Sequence, residues 1–251
     1  NRDPYLVSVY IDHAFNKDIG KRLSYIGMSA IDNTTGKSYF YETNSTVSDP
    51  TLAEDELTRF LQTFTPVEVV LNYSKKANQD TEFIRTWGFR LKNEDSGLRP
   101  TVFTDTQDSI SSLSYQEEFL AKYFPNHGHL DILEYLELVR HDVARLAYVY
   151  MLDFCSNHNS RILQNLSKPE IWNEGSRLVL DTSSIIQLNI VESYYNQDKQ
   201  NSVLSMLVKY VKTPMGRRTL KSWLLNPITN IDSLKERYDC IEKSTECSDN
   251  M

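Results

Sequence analysis

The sequence predicts an α/β unit followed by an all-α unit, and three observations carry that reading. β-Branched and aromatic runs separated by turn signals dominate the first hundred residues, as in "YLVSVYI" (5–11) and "VEVVLN" (67–72). Helical stripes then alternate with strand-like runs to residue 124, which implies parallel strands with covering helices. From Leu130 the strand grammar stops, and apolar residues recur at helical spacing.

"LSYIGMSAI" (23–31) and "KSYFYET" (37–43) flank "DNTTG" (32–36), whose Asn and Gly suit a hairpin turn. In "DPTLAEDELTRFLQTF" (49–64), Asp49 can cap and Pro50 fits the first helical position. Leu52, Leu57, Phe60, Leu61 and Phe64 give that helix an apolar stripe. Residues 79–87 and "SYQEEFLAKYF" (114–124) read as helices, and "PTVFT" (100–104) as a fifth strand. The order β-β-β-α-β-α-β-α is a meander followed by alternating units, the grammar of an RNase H-like mixed-sheet domain.

In 130–157, Leu133, Leu136, Val143, Ala147, Tyr150 and Phe154 fall at steps of three, four or seven. The second half of this stretch is apolar nearly all round, so it should be buried on several sides. We place the first domain at 1–158 and the beginning of a helical domain at 159–251. "SKPEIWNEGS" (167–176) supplies Pro and Gly punctuation at the boundary. "RLVLD" (177–181) reads as extended, with helices at about 183–194, 202–211, 214–226 and 232–246.

Lys+Arg 27 against Asp+Glu 34 gives a net charge of −7, which argues against coating nucleic acid over the whole surface but permits a local basic face. Three scattered cysteines (Cys155, Cys240, Cys247) make no disulfide framework and favour a reducing, intracellular compartment; nucleus, cytoplasm and organelle are not distinguished. No apolar stretch approaches the roughly 20 residues of a membrane span, so no membrane association is expected. The chain begins at Asn1 and ends in a polar stretch, which points to a piece of a longer polypeptide.

"VKTPMGRRTLKSWLLNPITN" (211–230) concentrates the chemistry. Thr213 is a good N-cap, Pro214 a good first helical residue, and Pro227 a stop. Arg217, Arg218 and Lys221 share one arc of the helix, with Gly216, Leu220, Trp223 and Leu224 in the next. Gly216 costs about 1 kcal/mol relative to Ala inside a helix, which calls for a close approach, usually by another backbone. The basic arc reads either as a solvated face or as a contact with an acidic surface or phosphate backbone.

"TPMGRRTLKSWLLNPI", preceded by "LDTSSIIQLNIVES" and "NSVLSMLVKYV", resembles the start of the lever/core region of MutS-family DNA mismatch-repair proteins. Leu180, Asp181, Leu188, Asn189, Thr213, Met215, Gly216, Arg218, Leu220, Lys221, Trp223, Leu224 and Pro227 match the family pattern, with Ile190 a departure from its Glu. Arg237, Ile241 and Glu242 match the helix that follows. Upstream, the meander-plus-alternation order is similar to the family's RNase H-like connector domain. The resemblance implies a non-catalytic transmission piece that couples mismatch and DNA binding to an ATPase domain. For the parent protein it implies ATP and magnesium, mismatched or branched double-stranded DNA, a MutL-like partner and a MutS-type homo- or heterodimer. Arg217, Arg218 and Lys221 are the expected interdomain or DNA-facing contact, with Thr213, Met215, Gly216, Leu220, Trp223 and Pro227 as structural motif positions.

Other constellations are weaker. Phe40-Tyr41-Glu42 matches the family's Phe-x-Glu wedge on paper, but strand alternation assigns it to packing. Gly20-Lys21 lacks the upstream Gly of a P-loop. Asp12 ends the first strand where an RNase H-like nuclease holds metal, but Asn72 stands where a second acid is expected. His127-x-His129 and Cys155-x-x-His158 have zinc-like spacing, although Cys155 reads as a buried small hydrophobe. Trp87 and Trp172 read as packing residues. The rival functions are a structure-selective RNase H-like nuclease and a meiotic-type MutS homologue binding branched DNA.

Overall fold

Alternation along the first strand sets the architecture, because its two faces meet different helices. The computed structural model describes residues 5–17, 20–64, 66–74, 77, 100–103, 109–158, 160–172, 178, 180, 182–191 and 202–249. The expected helix at 79–87, with Trp87, lies outside them. The chain divides into two units, 1–172 and 173–251.

The first unit is a six-stranded mixed sheet built from β1 (Tyr5–Asn16), β2 (Lys21–Asp32), β3 (Ser38–Asn44), β4 (Glu68–Tyr73), β5 (Pro100–Phe103) and β6 (Glu170–Ile171), in the order β5-β4-β1-β2-β3-β6. β1, β2 and β3 form an antiparallel meander, whereas β4 runs parallel to β1 and β5 parallel to β4. Every expected strand of this unit is present, with ends shifted by a few residues. β6 adds a short parallel edge pair, Tyr39↔Glu170 and Phe40↔Ile171, that no sequence pattern announced.

One sheet face carries Val7, Val9, Ile11, Ile26, Met28, Val69 and Leu71 against α1 (Leu52–Phe64), through Ala53, Leu57, Phe60 and Phe64. α1 starts later than expected. The Asp49 carboxylate accepts from the Thr51 N–H (3.1 Å) and Oγ1 (2.9 Å), so Pro50 sits in the turn ahead of the helix. Trp172 is buried in this layer, edge-on to Phe60 and Tyr41.

The other face carries Leu6, Tyr10, Ile31, Phe40 and Val70 against α2 (Leu113–Tyr123), α3 (Ile132–Tyr135) and α4 (Asp142–His158). The stretch expected to be helical from 130 is broken between α3 and α4. Asp131 caps α3 by accepting from the Leu133 N–H (2.8 Å). Glu137, at φ 62°, then ends it: its N–H and that of Leu138 return to the carbonyls of Glu134 and Leu133. α4 is buried nearly all round, from Ala144 to Cys155.

α4 docks flush on the sheet. A Cβ at Gly27 would lie 2.1 Å from the Val143 carbonyl oxygen, so only glycine fits there. Glu42, paired directly opposite Gly27, accepts from the N–H groups of Val143 (2.7 Å) and Ala144 (2.9 Å) at the start of α4. Farther along, Ser29 Oγ donates to the Ala147 carbonyl (3.1 Å), and Ser38 Oγ lies 3.0 Å from Tyr148 Oη.

The first unit runs past the expected boundary at 158. Ser167 N donates to the Gly36 carbonyl (3.2 Å) and Trp172 N to the Phe40 carbonyl (2.9 Å), which tie 160–172 to the edge of the meander. In the second unit the described elements are helices: α5 (Thr182–Gln187), α6 (Val203–Val208), α7 (Pro214–Leu225) and α8 (Ile231–Asp249). Of 177–181 only residues 178 and 180 are described, and Leu178 N donates to the Pro227 carbonyl (2.6 Å).

Gly27→Ala should cost about 2–5 kcal/mol, because the new methyl meets backbone rather than a movable side chain. Glu42→Ala should cost about 1–2 kcal/mol through two unsatisfied helix amides. Urea unfolding of both variants checks the order; a Gly27→Ala protein as stable as the parent would refute the flush docking.

Candidate functional site

α7 begins as its sequence demands. Thr213 is the N-cap and its Oγ1 accepts from Gly216 N (3.1 Å); Pro214 occupies the first turn, and Asn226 closes the helix just ahead of Pro227. Gly216 has a different cause from the one expected. A Cβ there would meet Val211 Cγ1 at 2.7 Å and Thr213 Oγ1 at 3.0 Å. Among the described residues the helix is crowded by its own N-terminal approach rather than by a second backbone.

Arg217 and Arg218 are exposed and Lys221 is half-buried, on a helix whose only fully buried member is Leu225. Arg217 Nε donates to the Val211 carbonyl (3.3 Å), so its guanidinium is held near the start of α7. Met215 is 70% exposed and Tyr210, just upstream, 85% exposed. The segment therefore presents a basic surface interleaved with apolar and aromatic side chains. That combination suits either a phosphate backbone or an acidic protein face.

Trp223 has a partner that sequence reasoning missed. The Arg237 guanidinium of α8 lies 4.2 Å from the centre of its ring, a cation–π contact worth about 0.5–1 kcal/mol at a partly exposed site. The two residues line an open groove of about 750 Å³ with Glu236, Cys240 and Ile241. Trp223 and Arg237 were both visible as pattern positions; their contact needs the turn between α7 and α8.

Asn189 is also placed for a physical reason. It ends α5 at φ 47°, a conformation that Asn tolerates better than most residues. Its carbonyl and that of Ile190 then accept from the N–H groups of Val203 (2.9 Å) and Leu204 (3.0 Å), the first residues of α6. Ser202 caps α6 by accepting from the Ser205 N–H (3.0 Å).

The remaining candidates resolve into structural roles. Phe40 is fully buried on the α4 face, Tyr39 and Tyr41 pack on the α1 face, and Glu42 caps α4, so Phe40-Tyr41-Glu42 is a packing and capping unit. Asp12 does not end β1, which runs on to Asn16; it lies just past the last β1–β4 pair, where its Oδ1 accepts from Ser74 Oγ and from the His13 N–H (2.8 Å). Asn72 is fully buried, paired opposite Tyr10 and Phe103. Among the described residues no group of three His, Cys, Asp or Glu side chains could hold a metal ion. His127 Nδ1 is 2.9 Å from the Leu130 carbonyl, and His158 stacks on Phe154. Cys155 is buried on α4, and burial together with nearby Glu68 pushes its thiol up to about 12. No helix among the described residues is long and apolar enough to cross a membrane.

Comparison with known proteins bears on both units. The family model of MutS domain III matches residues 183–251, which cover α5 from its second residue, α6, α7 and α8. A mutS homologue of Acanthamoeba polyphaga mimivirus is 32% identical over 95% of this chain. The chain belongs to the MutS family. The DNA mismatch repair protein MutS of Caldanaerobacter subterraneus subsp. tengcongensis is 26% identical over 95% of the chain, and that of Clostridioides difficile 24% over 96%. The chain spans about a quarter of these relatives, 23%, 24% and 21% of their lengths. The match extends across the sheet unit as well as the α7 motif.

Two outcomes check the site. Gly216→Ala should destabilise the second unit despite about 1 kcal/mol of better helix propensity, and Val211→Ala should restore the loss in the double variant. Additive effects in a thermal-melt double-mutant cycle would rule out the crowding. Iodoacetamide at pH 8 should modify Cys240 and leave Cys155 unmodified by peptide mapping, because the buried thiol holds its proton to about 12.

Proposed function

We propose that this chain is the transmission part of a MutS-type DNA mismatch-repair ATPase. Its first unit is the connector, and its second is the beginning of the lever/core region. Similarity to MutS proteins over 95% of the chain is the observation that carries the reading. The strand order supports the connector assignment: an antiparallel meander with two further strands parallel to β1 is an RNase H-like arrangement. The function is mechanical. The connector and lever/core pieces relay nucleotide state from an ATPase domain to the DNA-binding parts of a longer polypeptide.

In that polypeptide ATP and magnesium belong to the ATPase domain, mismatched or branched double-stranded DNA is the substrate, and MutS-type dimerisation completes the clamp. A MutL-like protein is the proposed downstream partner, in a reducing intracellular compartment. Arg217, Arg218 and Lys221 form the proposed interdomain or DNA-facing contact, because α7 presents them beside Met215 and Tyr210 with little of its own surface buried.

Replacing Arg217, Arg218 and Lys221 with Glu in the parent polypeptide should lower mismatch-stimulated ATP turnover about fivefold or more. The same substitutions should leave the melting midpoint of the 251-residue chain within about 2 °C. Unchanged turnover would remove these residues from the coupling path.

A further inference from the structure

β1 and β2 outrun the rest of their sheet. Pairing of β4 with β1 stops at Ile11↔Tyr73, and pairing of β3 with β2 stops at Tyr25↔Asn44, yet β1 and β2 stay paired through Asn16↔Lys21. Residues 12–16 and 21–24 thus continue as a two-stranded antiparallel ribbon, flanked at its base by Ser45, whose N–H donates to the Ser24 carbonyl (2.8 Å), and by Ser74, whose Oγ donates to Asp12.

The two faces of this ribbon differ. On the α4 side Asp12 is turned into the fold, where it accepts from Ser74 Oγ. On the α1 side the alternation places His13 and Phe15 from one strand beside Arg22 and Ser24 from the other, and Lys17 follows β1 directly in the turn. Phe15 is 60% exposed and stands directly opposite exposed Arg22; Lys17 is exposed next to them. The strand positions of this face, 13, 15, 22 and 24, include no carboxylate. From 13 to 22 the sequence holds Lys17, Lys21 and Arg22 against Asp18 alone, within a chain of net charge −7.

We infer that this ribbon is a duplex-DNA contact of the first unit, distinct from α7. A two-stranded β-ribbon fits a major groove about 12 Å wide. Lys17 and Arg22 flank Phe15 as two phosphate-directed cations beside a ring that can rest on a sugar or a base edge. Concentrating positive charge on one narrow projection, in an otherwise acidic molecule, directs a polyanion to that projection rather than to the general surface. The contact is sequence-independent, resting on phosphate-directed charge and a ring contact rather than on bidentate reading of base edges.

The test is fluorescence anisotropy of a labelled duplex of about 25 base pairs with the 251-residue chain, across about 20–150 mM NaCl. Lys17→Glu with Arg22→Glu should weaken binding at least tenfold, to order of magnitude, at the lowest salt, and should reduce the slope of log K against log salt by about 2. Phe15→Ala should weaken binding about fivefold with the slope unchanged, and Phe15→Trp should retain it. The same losses should appear in a chain already carrying Arg217→Glu, Arg218→Glu and Lys221→Glu, which separates this contact from the α7 proposal. Binding unaffected by the ribbon substitutions would overturn the inference, as would no measurable binding at the lowest salt. So would displacement of the duplex by polyglutamate at equal charge concentration, which would assign the ribbon to an acidic protein instead.

Discussion

The first unit depends on how one helix meets one glycine. α4 supplies a larger share of the larger core than any other element, and its amino end rests on β2 at Gly27, where any side chain would collide with the Val143 carbonyl. Removing that side chain brings the first turn of α4 within reach of the neighbouring strand, and Glu42, directly across from Gly27, takes two of its free amides. The carboxylate also faces the positive end of the helix dipole. Glycine and glutamate therefore work as one device, in which the first permits the approach and the second satisfies the polar groups that approach would otherwise bury. Ser29 and Ser38 continue the seam with bonds to the Ala147 carbonyl and Tyr148 hydroxyl.

The turn ahead of α4 is fixed by a second polar centre. Arg145 is 8% exposed; its Nε donates to Gln116 Oε1 (2.6 Å), one terminal nitrogen donates to the Leu138 carbonyl (3.2 Å), and the other pairs with Asp142 (2.8 Å). Gln116 in turn donates to the Ile110 carbonyl (2.8 Å). A single guanidinium thus joins α2, the 136–141 turn and α4, and its bonds to Gln116, Leu138 and Asp142 satisfy the buried donors of Arg145 itself. This network helps hold Glu137 in its left-handed conformation, where a β-carbon costs roughly 1–2 kcal/mol. The break between α3 and α4 is accordingly a property of tertiary bonds more than of local preference.

That difference explains what could be read from residues alone. Strands β1 to β5, the α1 stripe and the Thr213-Pro214 start of α7 rest on period, branching and capping, all of which are local, and each was legible. The break at Glu137 was not, because Leu133, Leu136 and Val143 keep helical spacing straight across it. Nor was β6, whose two residues carry no strand pattern and are placed by the edge of β3. Gly27 did leave a signal, an isolated glycine inside a strand, which marks a close backbone approach. At Gly216 the need for close packing was legible but its source was not. Val211 lies only five residues upstream, and its approach depends on how the chain enters the helix. The ribbon's one-sided charge follows from register, which a hairpin of unknown turn length does not disclose.

The distribution of charge separates framework from contact. Arg145 and Glu42 are spent inside the first unit, Arg145 at 8% exposure and Glu42 on two backbone amides. Mutating either would report on folding before it reported on any partner. Arg217 and Arg218 on α7, and Lys17 and Arg22 on the ribbon, are exposed, on backbone that caps and strand pairing order, with Arg217 adding one bond to the Val211 carbonyl. Charge reversal at such positions leaves the scaffold intact, because surface charges contribute little to stability. A part with the proposed transmission role would need this division. Its interior must keep one arrangement under load, while its contacts must form and release as partners change. The glycine-seated helix and the buried polar network suit the first requirement, and the exposed cations of α7 and the ribbon suit the second under the proposed reading.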